Sequence, residues 1–416
     1  MKNFWPFLAL AAFPLQACNH SSSSGGGGAT TGGGGTFELG DPIDGLTPDE
    51  LAAFERGRIV FERNFKPSEG LGPLYNVTSC RSCHSTPVTG GSARLYRNFY
   101  MAQWGPYENS GILPNVISVV IPAYGTANSD TFTLEGRRPT IPDTYFGFDV
   151  RTAQRNAPAI FGVGLFEGIT DATIASNSDP DDLDGDGISG RFNTDSEGVG
   201  RFGFKAQANN IEKFTRAPLF FQMGITSNPF MGDAGTISLA HMAAPQVAGG
   251  NEPTVDNDGV PDPEISSGDL RDLIAFGKFL APPRKTPFDQ AATHGEMLFE
   301  QVGCTSCHIP SLPSARGPVE AYTDLLLHEM GPDLEDGMSF GLPQASTISA
   351  LKDHAEFRTQ PLWGVSLHGP FLHDGRAETL EEAITMHGGE AEAIKNDFVA
   401  LPQQDRDDII AFLEHL

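Results

Sequence analysis

Cys80-Arg81-Ser82-Cys83-His84 and Cys304-Thr305-Ser306-Cys307-His308 are two copies of one pentapeptide, C-x-x-C-H, set more than half the chain apart in 416 residues with only five cysteines. Two thiols three residues apart reach the two vinyl groups of one porphyrin. The histidine that follows then falls beneath the iron as its proximal ligand. A zinc ribbon places its C-x-x-C halves roughly 15–20 residues apart, and a redox dithiol gives no role to a histidine present both times. The pattern predicts two covalent haem c groups, one on Cys80, Cys83 and His84 and one on Cys304, Cys307 and His308.

The fifth cysteine bears on location. Met1–Cys18 reads MKNFWPFLALAAFPLQAC, one lysine followed by an apolar run too short for a permanent membrane helix but fit for a secretory signal. Leu15-Gln16-Ala17-Cys18 resembles a bacterial lipobox, in which the cysteine is acylated. Asn19 behind it resembles the default for sorting to the outer membrane. The expected location is the periplasmic side of the bacterial envelope, with the membrane touched only through that anchor. Two, two and one account for every cysteine, leaving none for a disulfide or a thiolate ligand. The Ser/Gly-rich segment that follows, up to residue 40, reads as a flexible tether; its first 18 residues span roughly 23 Å root-mean-square.

Lys and Arg number 27 against 53 Asp and Glu, a net charge of −26. This argues against nucleic acid, which needs a basic face, and suits a small basic electron-transfer protein as partner. Solubility alone is the other reading of that charge.

An internal repeat orders the rest. Thr47-Pro48-Asp49-Glu50 opens a helix with a Thr cap, Pro in the first turn and Glu three residues on. Arg56–Glu62 (RGRIVFE) recurs as His294–Glu300 (HGEMLFE), again just ahead of a haem motif. Ser267–Leu280 (SGDLRDLIAFGKFL) resembles Gln403–Leu416 (QQDRDDIIAFLEHL) in its apolar stripe. Helix, haem motif, closing helix is the order of a class I cytochrome c domain. The expected fold is mainly α, with two such domains at 41–283 and 284–416. The first is swollen by an irregular, partly β insertion over about 95–260, in which Asn115–Tyr124 reads as a strand.

These segments resemble a known family. Two fused cytochrome c domains, the second carrying Arg358–Ile384 (RTQPLWGVSLHGPFLHDGRAETLEEAI), resemble the bacterial di-haem cytochrome c peroxidase superfamily. Asn64–Asn76, Arg155–Ile169, Asp181–Asn193 and Tyr322–Leu334 are similar to its di-haem oxidoreductases, labelled peroxidases or thiol oxidoreductases. The resemblance implies a redox enzyme acting on hydrogen peroxide or a related small oxidant, with electrons passed between the haems. An electron-transfer cytochrome without a substrate site, or an oxidase of thiol-like substrates, fits the same residues.

Further candidates follow. The second half offers His328, Met330, Met338, His354, His368, His373 and His387 as sixth ligands. Tyr322-Thr323…Met330-Gly331 has a partner in Phe214-Thr215…Met223-Gly224, which singles out Met330 and Met223, with His328 next; core packing is the alternative for the thioethers. By resemblance, Arg155–Glu167 faces the first haem. Glu167, after an apolar run, would there be an acid/base with a raised pKa, or else a carboxylate paired at a loop. Asp182, Asp184 and Asp186 with Gly187 have the spacing of half a calcium loop, without the closing Glu, where Asn193 stands. The related peroxidases hold calcium between their domains. Asp256, Asp258 and Asp262 form a second acidic turn.

Two outcomes test this reading. A pyridine haemochrome assay is expected to give two haem c per chain and one in Cys304→Ala; haem extracted by acidified solvent would contradict covalent attachment. Cys18→Ser is expected to release a soluble periplasmic form with both haems. A wild-type protein that already fractionates as soluble would refute the anchor.

Overall fold

The computed structural model describes residues 38–416, apart from 105–116, 122–123, 126–142, 146, 196, 229–255, 257 and 339–353. The signal, lipobox and most of the tether lie outside the described residues.

Helix α1 (Pro48–Glu62) starts as its sequence dictates. Thr47 Oγ1 accepts from Glu50 N at 3.3 Å, and Glu50 Oε2 accepts from Thr47 N at 2.8 Å, a reciprocal cap. Three more helices follow before the second half: α2 (Asp171–Ala175), α3 (Ile211–Met223) and α4 (Ser267–Phe279). The second half contributes α5 (Gln290–Val302), α6 (Leu380–Thr385), α7 (Glu392–Ala400) and α8 (Gln403–His415).

Two helix pairs organise these elements, and they are built alike. Where α1 crosses α4, a Cβ on Gly57 would lie 1.9 Å from the Asp272 carbonyl oxygen. Where α5 crosses α8, a Cβ on Gly295 would lie 1.9 Å from the Asp408 carbonyl oxygen. Only glycine lets the two backbones approach so closely. Beside each crossing sits an ion pair, Arg56 Nε to Asp272 Oδ2 at 2.6 Å and His294 Nδ1 to Asp408 Oδ2 at 2.7 Å. One turn further on, aromatic rings meet: Phe61 with Phe276 at 4.8 Å and Phe299 with Phe412 at 5.3 Å between centroids. The repeated heptapeptides and closing helices of the sequence thus perform the same packing twice.

Strands are few. In the expected insertion, β1 (Phe99–Trp104) pairs antiparallel with both β2 (Ile117–Ile121) and β3 (Arg151–Arg155), in the order β2-β1-β3. The strand expected at Asn115–Tyr124 appears as β2. A second ladder joins β4 (Leu327–Glu329) to β5 (Glu356–Arg358).

The apolar core falls into two clusters. The larger holds Phe54, Phe61, Phe276 and Phe279 and extends to Leu325, Leu326 and Trp363; the smaller gathers Phe299, Tyr322, Phe398 and Phe412. Trp363 crosses from the second half to stack on Phe166 of the first, 5.5 Å between centroids and 12° between planes.

Buried charge also ties the halves. Arg155, at the end of β3, pairs with Asp336 at 2.7 Å, both side chains 2% exposed, and Arg191 pairs with Glu356 of β5. Such pairs cost desolvation and are held only by good geometry.

The glycine crossing is directly testable. Gly295→Ala is expected to destabilise the holoprotein by about 3 kcal/mol, the upper part of the overpacking range, read as a lowered Tm. Gly268→Ala, in α4 with its nearest neighbour 3.8 Å away, should melt with the wild type or slightly above it. Equal melting of the two variants would show that the crossing tolerates a methyl group.

Candidate haem sites

Each C-x-x-C-H forms the same local structure. Cys80–Ser82 and Cys304–Ser306 are single 3-10 turns. The amide of His84 donates to Cys80 O at 3.1 Å, and that of His308 to Cys304 O at 3.0 Å. This winding brings both cysteines and the histidine of a motif to one small region.

The histidine rings are aimed by backbone carbonyls. His84 Nδ1 bonds Gly91 O at 3.2 Å, and His308 Nδ1 bonds Tyr322 O at 2.9 Å. With Nδ1 so engaged, Nε2 is the nitrogen left to bind a metal, the arrangement that orients ligating histidines generally. Phe61 lies 6.0 Å from the His84 ring and Phe299 6.3 Å from the His308 ring, tilted 51° and 55°. Burial holds His84 below the ordinary imidazole range and pushes His308 down to about 4. Both rings are therefore neutral near pH 7, the ligating form.

The thiols fit the same purpose. Burial pushes Cys80 and Cys304 up to about 12 and Cys83 up to about 11. A reactive dithiol needs the opposite shift. Cys80 and Cys83 pack against the larger apolar cluster, Cys304 against the smaller. Among the described residues, the four cysteines gather into no common metal site, which removes the zinc-ribbon reading. Paired thiols, a neutral aimed imidazole and an apolar surround are the donor set for haem c.

The other expected residues are placed as follows. Met223 is buried at the end of α3, in the core against which Cys80 and Cys83 pack. Met330 is half-buried beyond β4, its amide donating to Ala355 O at 2.9 Å.

His328 requires a correction as a sixth ligand. Its Nε2 lies 2.8 Å from Asp324 Oδ2 and its Nδ1 2.9 Å from Glu390 Oε2, so both ring nitrogens are already engaged.

Glu167 takes the second of its two readings. Its Oε2 pairs with Lys278 Nζ at 2.9 Å, and its Oε1 accepts from Ile211 N at 2.8 Å at the start of α3. The carboxylate is spent on joining α4 to α3, the loop-pairing alternative, and stands in no isolated apolar site.

Asp182, Asp184 and Asp186 do converge, with oxygens within 4.8 Å of one another on an exposed turn. In the second acidic turn, Asp256 and Asp262 converge with Glu264 in place of Asp258; burial pushes Glu264 up to about 7.

One histidine, visible in the sequence only as one of five candidate histidines in the second half, gains distinction from the fold. His387 Nδ1 donates to Ala383 O at 2.7 Å, one helical turn back, and burial lowers its pKa. It lies near enough to His308 for its charge to weigh on that ring. Glu390, three residues on, bonds His328, whose Nδ1 is 3.6 Å from Cys307 Sγ. A Cβ on Gly388 would lie 2.9 Å from Met330 O, so the His387 turn and Met330 border the same attachment site. Only this closure of the chain distinguishes His387 from the other four histidines.

Comparison with known proteins agrees with this donor set. Methylamine utilization protein MauG of Methylorubrum extorquens is 28% identical over 131 residues, 30% of this chain and 34% of that protein. Cytochrome-c peroxidase IdrP2 of a Pseudomonas species is 26% identical over 186 residues, 35% of this chain and 48% of that protein. The chain thus spans about a third to a half of the length of these curated relatives. The crystal structure of the diheme peroxidase BthA from Burkholderia thailandensis aligns over 90% of this chain and 87% of its own, with 16% identity and a TM-score of 0.43. The family described as "Di-haem oxidoreductase, putative peroxidase" matches residues 91–416. That stretch runs from the carbonyl that aims His84, through the whole second haem motif, to the last residue of the closing helix, and the chain belongs to this di-haem oxidoreductase family.

Proposed function

We propose that the chain is an exported c-type redox enzyme of two cytochrome c domains, reducing hydrogen peroxide or a related small oxidant. The observation that carries this is an asymmetry: the two proximal sites are alike, but their surroundings differ. The second half brings His387 beside His308. Besides His84, the first half offers His241, which lies outside the described residues, and Met223 as the candidate thioether. An iron with two strong ligands stores an electron, whereas one with a weak or missing sixth ligand admits a small oxidant.

When bound, the haems supply these one-electron steps; the chain supplies tethers, ligands and field. Cys80, Cys83, Cys304 and Cys307 hold the macrocycles. His84 and His308 ligate as neutral imidazoles kept in register by Gly91 O and Tyr322 O. His387, in place of Met330, would be the further residue of this chain to hold the C-terminal haem, because its ring is anchored through Nδ1 as the two proximal rings are. His415 makes the same bond to Ala411 O at 2.7 Å and packs edge-on to Phe288, so the bond alone does not single out His387; its electrostatic reach to His308 does.

The lipobox and tether support attachment to the outer membrane on its periplasmic side, and the net charge of −26 supports a basic electron donor. The Asp182–Asp184–Asp186 turn is the place for a calcium ion. Pairing of Glu167 with Lys278 favours a second reading, an electron-transfer cytochrome, since it leaves no free acid/base there.

Spectra separate the readings. Ferric holoprotein is expected to show one high-spin and one low-spin haem. His387→Ala should convert the low-spin haem to high spin, while Met330→Ala leaves it low-spin. Two low-spin haems in the wild type, with no turnover of peroxide, would establish the carrier instead.

A further inference from the structure

The ring of His328 is 5% exposed, clasped between Asp324, 2% exposed, and Glu390, 11% exposed. All these carboxylate oxygens act as acceptors. Asp324 Oδ1 accepts from Leu326 N at 2.9 Å; Glu390 Oε1 accepts from the Ser189 hydroxyl and Oε2 from Gly190 N at 3.5 Å. Glu390 also accepts from the Glu329 backbone, and the two carboxylates share the two nitrogens of one imidazole, at 2.8 and 2.9 Å. A ring that meets an ionised carboxylate at each nitrogen must carry a proton on both, and only imidazolium does. Burial opposes that charge, but Asp324 together with the neighbouring Cys307 sulfur carries the ring well above the ordinary imidazole range. Once the sulfur is a thioether its share vanishes, and the two carboxylates remain. His328 in turn holds Glu390 below the usual carboxylate range against the cost of burial.

This fixed charge lies 3.6 Å from Cys307 Sγ, an atom bonded to the macrocycle in the di-haem reading on which the inference rests. In a low-dielectric interior a charge so placed is weakly screened. The nearby Arg358 guanidinium is bonded to Gly203 O, Thr359 O and Gln360 Oε1 and adds a positive charge within electrostatic reach of Asp324, unchanged in both variants below.

We propose that His328 is a positioning residue for the C-terminal haem: a permanent imidazolium, clamped by Asp324 and Glu390 against the Cys307 sulfur, that sets the haem's reduction potential. Reduction removes positive charge from the iron, so a nearby cation favours the reduced form and a nearby anion the oxidised form. Glu390 belongs to the same device with the opposite sign, and through Ser189 it ties the acidic-loop segment of the first half to it.

The test is a redox titration of holoprotein variants whose haem content has been checked by pyridine haemochrome. His328→Gln keeps a hydrogen-bonding side chain but loses the charge, and should lower the C-terminal potential at least tenfold in equilibrium constant, about 59 mV for a one-electron couple. Glu390→Gln, which removes a negative charge and leaves the Asp324–His328 pair, should raise it by a similar factor. If His328→Gln fails to fold, the sign of the Glu390→Gln shift decides. Unmoved potentials, or shifts of the same sign, overturn the proposal while two haems per chain leave the di-haem reading standing. A wild-type chain without haem on Cys304 and Cys307 would instead bring down the reading itself.

Discussion

The structure depends on two places where a helix backbone lies directly on a carbonyl of another helix. Gly57 on Asp272 and Gly295 on Asp408 allow the helix before each haem motif to cross the helix that closes its half. A side chain at either glycine would push the crossing apart, since its Cβ would lie 1.9 Å from that carbonyl oxygen. Because the crossing is tight, the motif that follows the first helix emerges at a fixed height. Its histidine then meets Phe61 or Phe299 at nearly the same distance and tilt in both halves. The conserved elements of the repeat are those of the crossing itself: the glycine, the aspartate paired beside it and the aromatic ring one turn on.

A second constraint is the placement of charge inside the molecule. Arg155–Asp336, Arg191–Glu356 and the Asp324–His328–Glu390 cluster are nearly devoid of solvent, and each joins segments far apart in sequence or flanks a joint between them. Ion pairs of this kind contribute little net stability once desolvation is counted. What they do is penalise every arrangement in which one partner is left alone. The irregular segment that follows the first haem motif is thereby tied to the second half.

Function follows from how the repeat is broken. Proximal geometry is copied: a 3-10 turn, a carbonyl on Nδ1, an aromatic ring. The surroundings are not copied, since the second half places His387 and a charged imidazole cluster at its motif, and the first half spends Glu167 on joining helices. Identical halves would give two irons with one property. Unequal halves allow one to hold an electron while the other meets a substrate.

Much of this was legible in the sequence. The haem motifs, the capped start of α1, the closing helices and the strand at Ile117–Ile121 all rest on local rules: short spacings, side chains that reach three residues, and periodicity. The repeat even announced the partners of the crossing, since Arg56 and His294, like Asp272 and Asp408, hold matching places in the repeated segments. The roles of individual polar residues were not legible. Glu167 reads either as an acid/base or as a paired carboxylate until Lys278 arrives from 111 residues away, and His328 stays among the candidate ligands until Glu390 takes its second nitrogen. His387 is indistinguishable from its fellow histidines until the chain folds its turn back onto Cys307. A polar side chain is defined by its partners, and partners brought by tertiary contact leave no trace in local spacing. The sequence by itself determined what the chain could hold and where each holding motif lies. Only the tertiary structure decided which charged and ligating groups stand beside each motif, because burial and long-range pairing exist only once the backbone has closed.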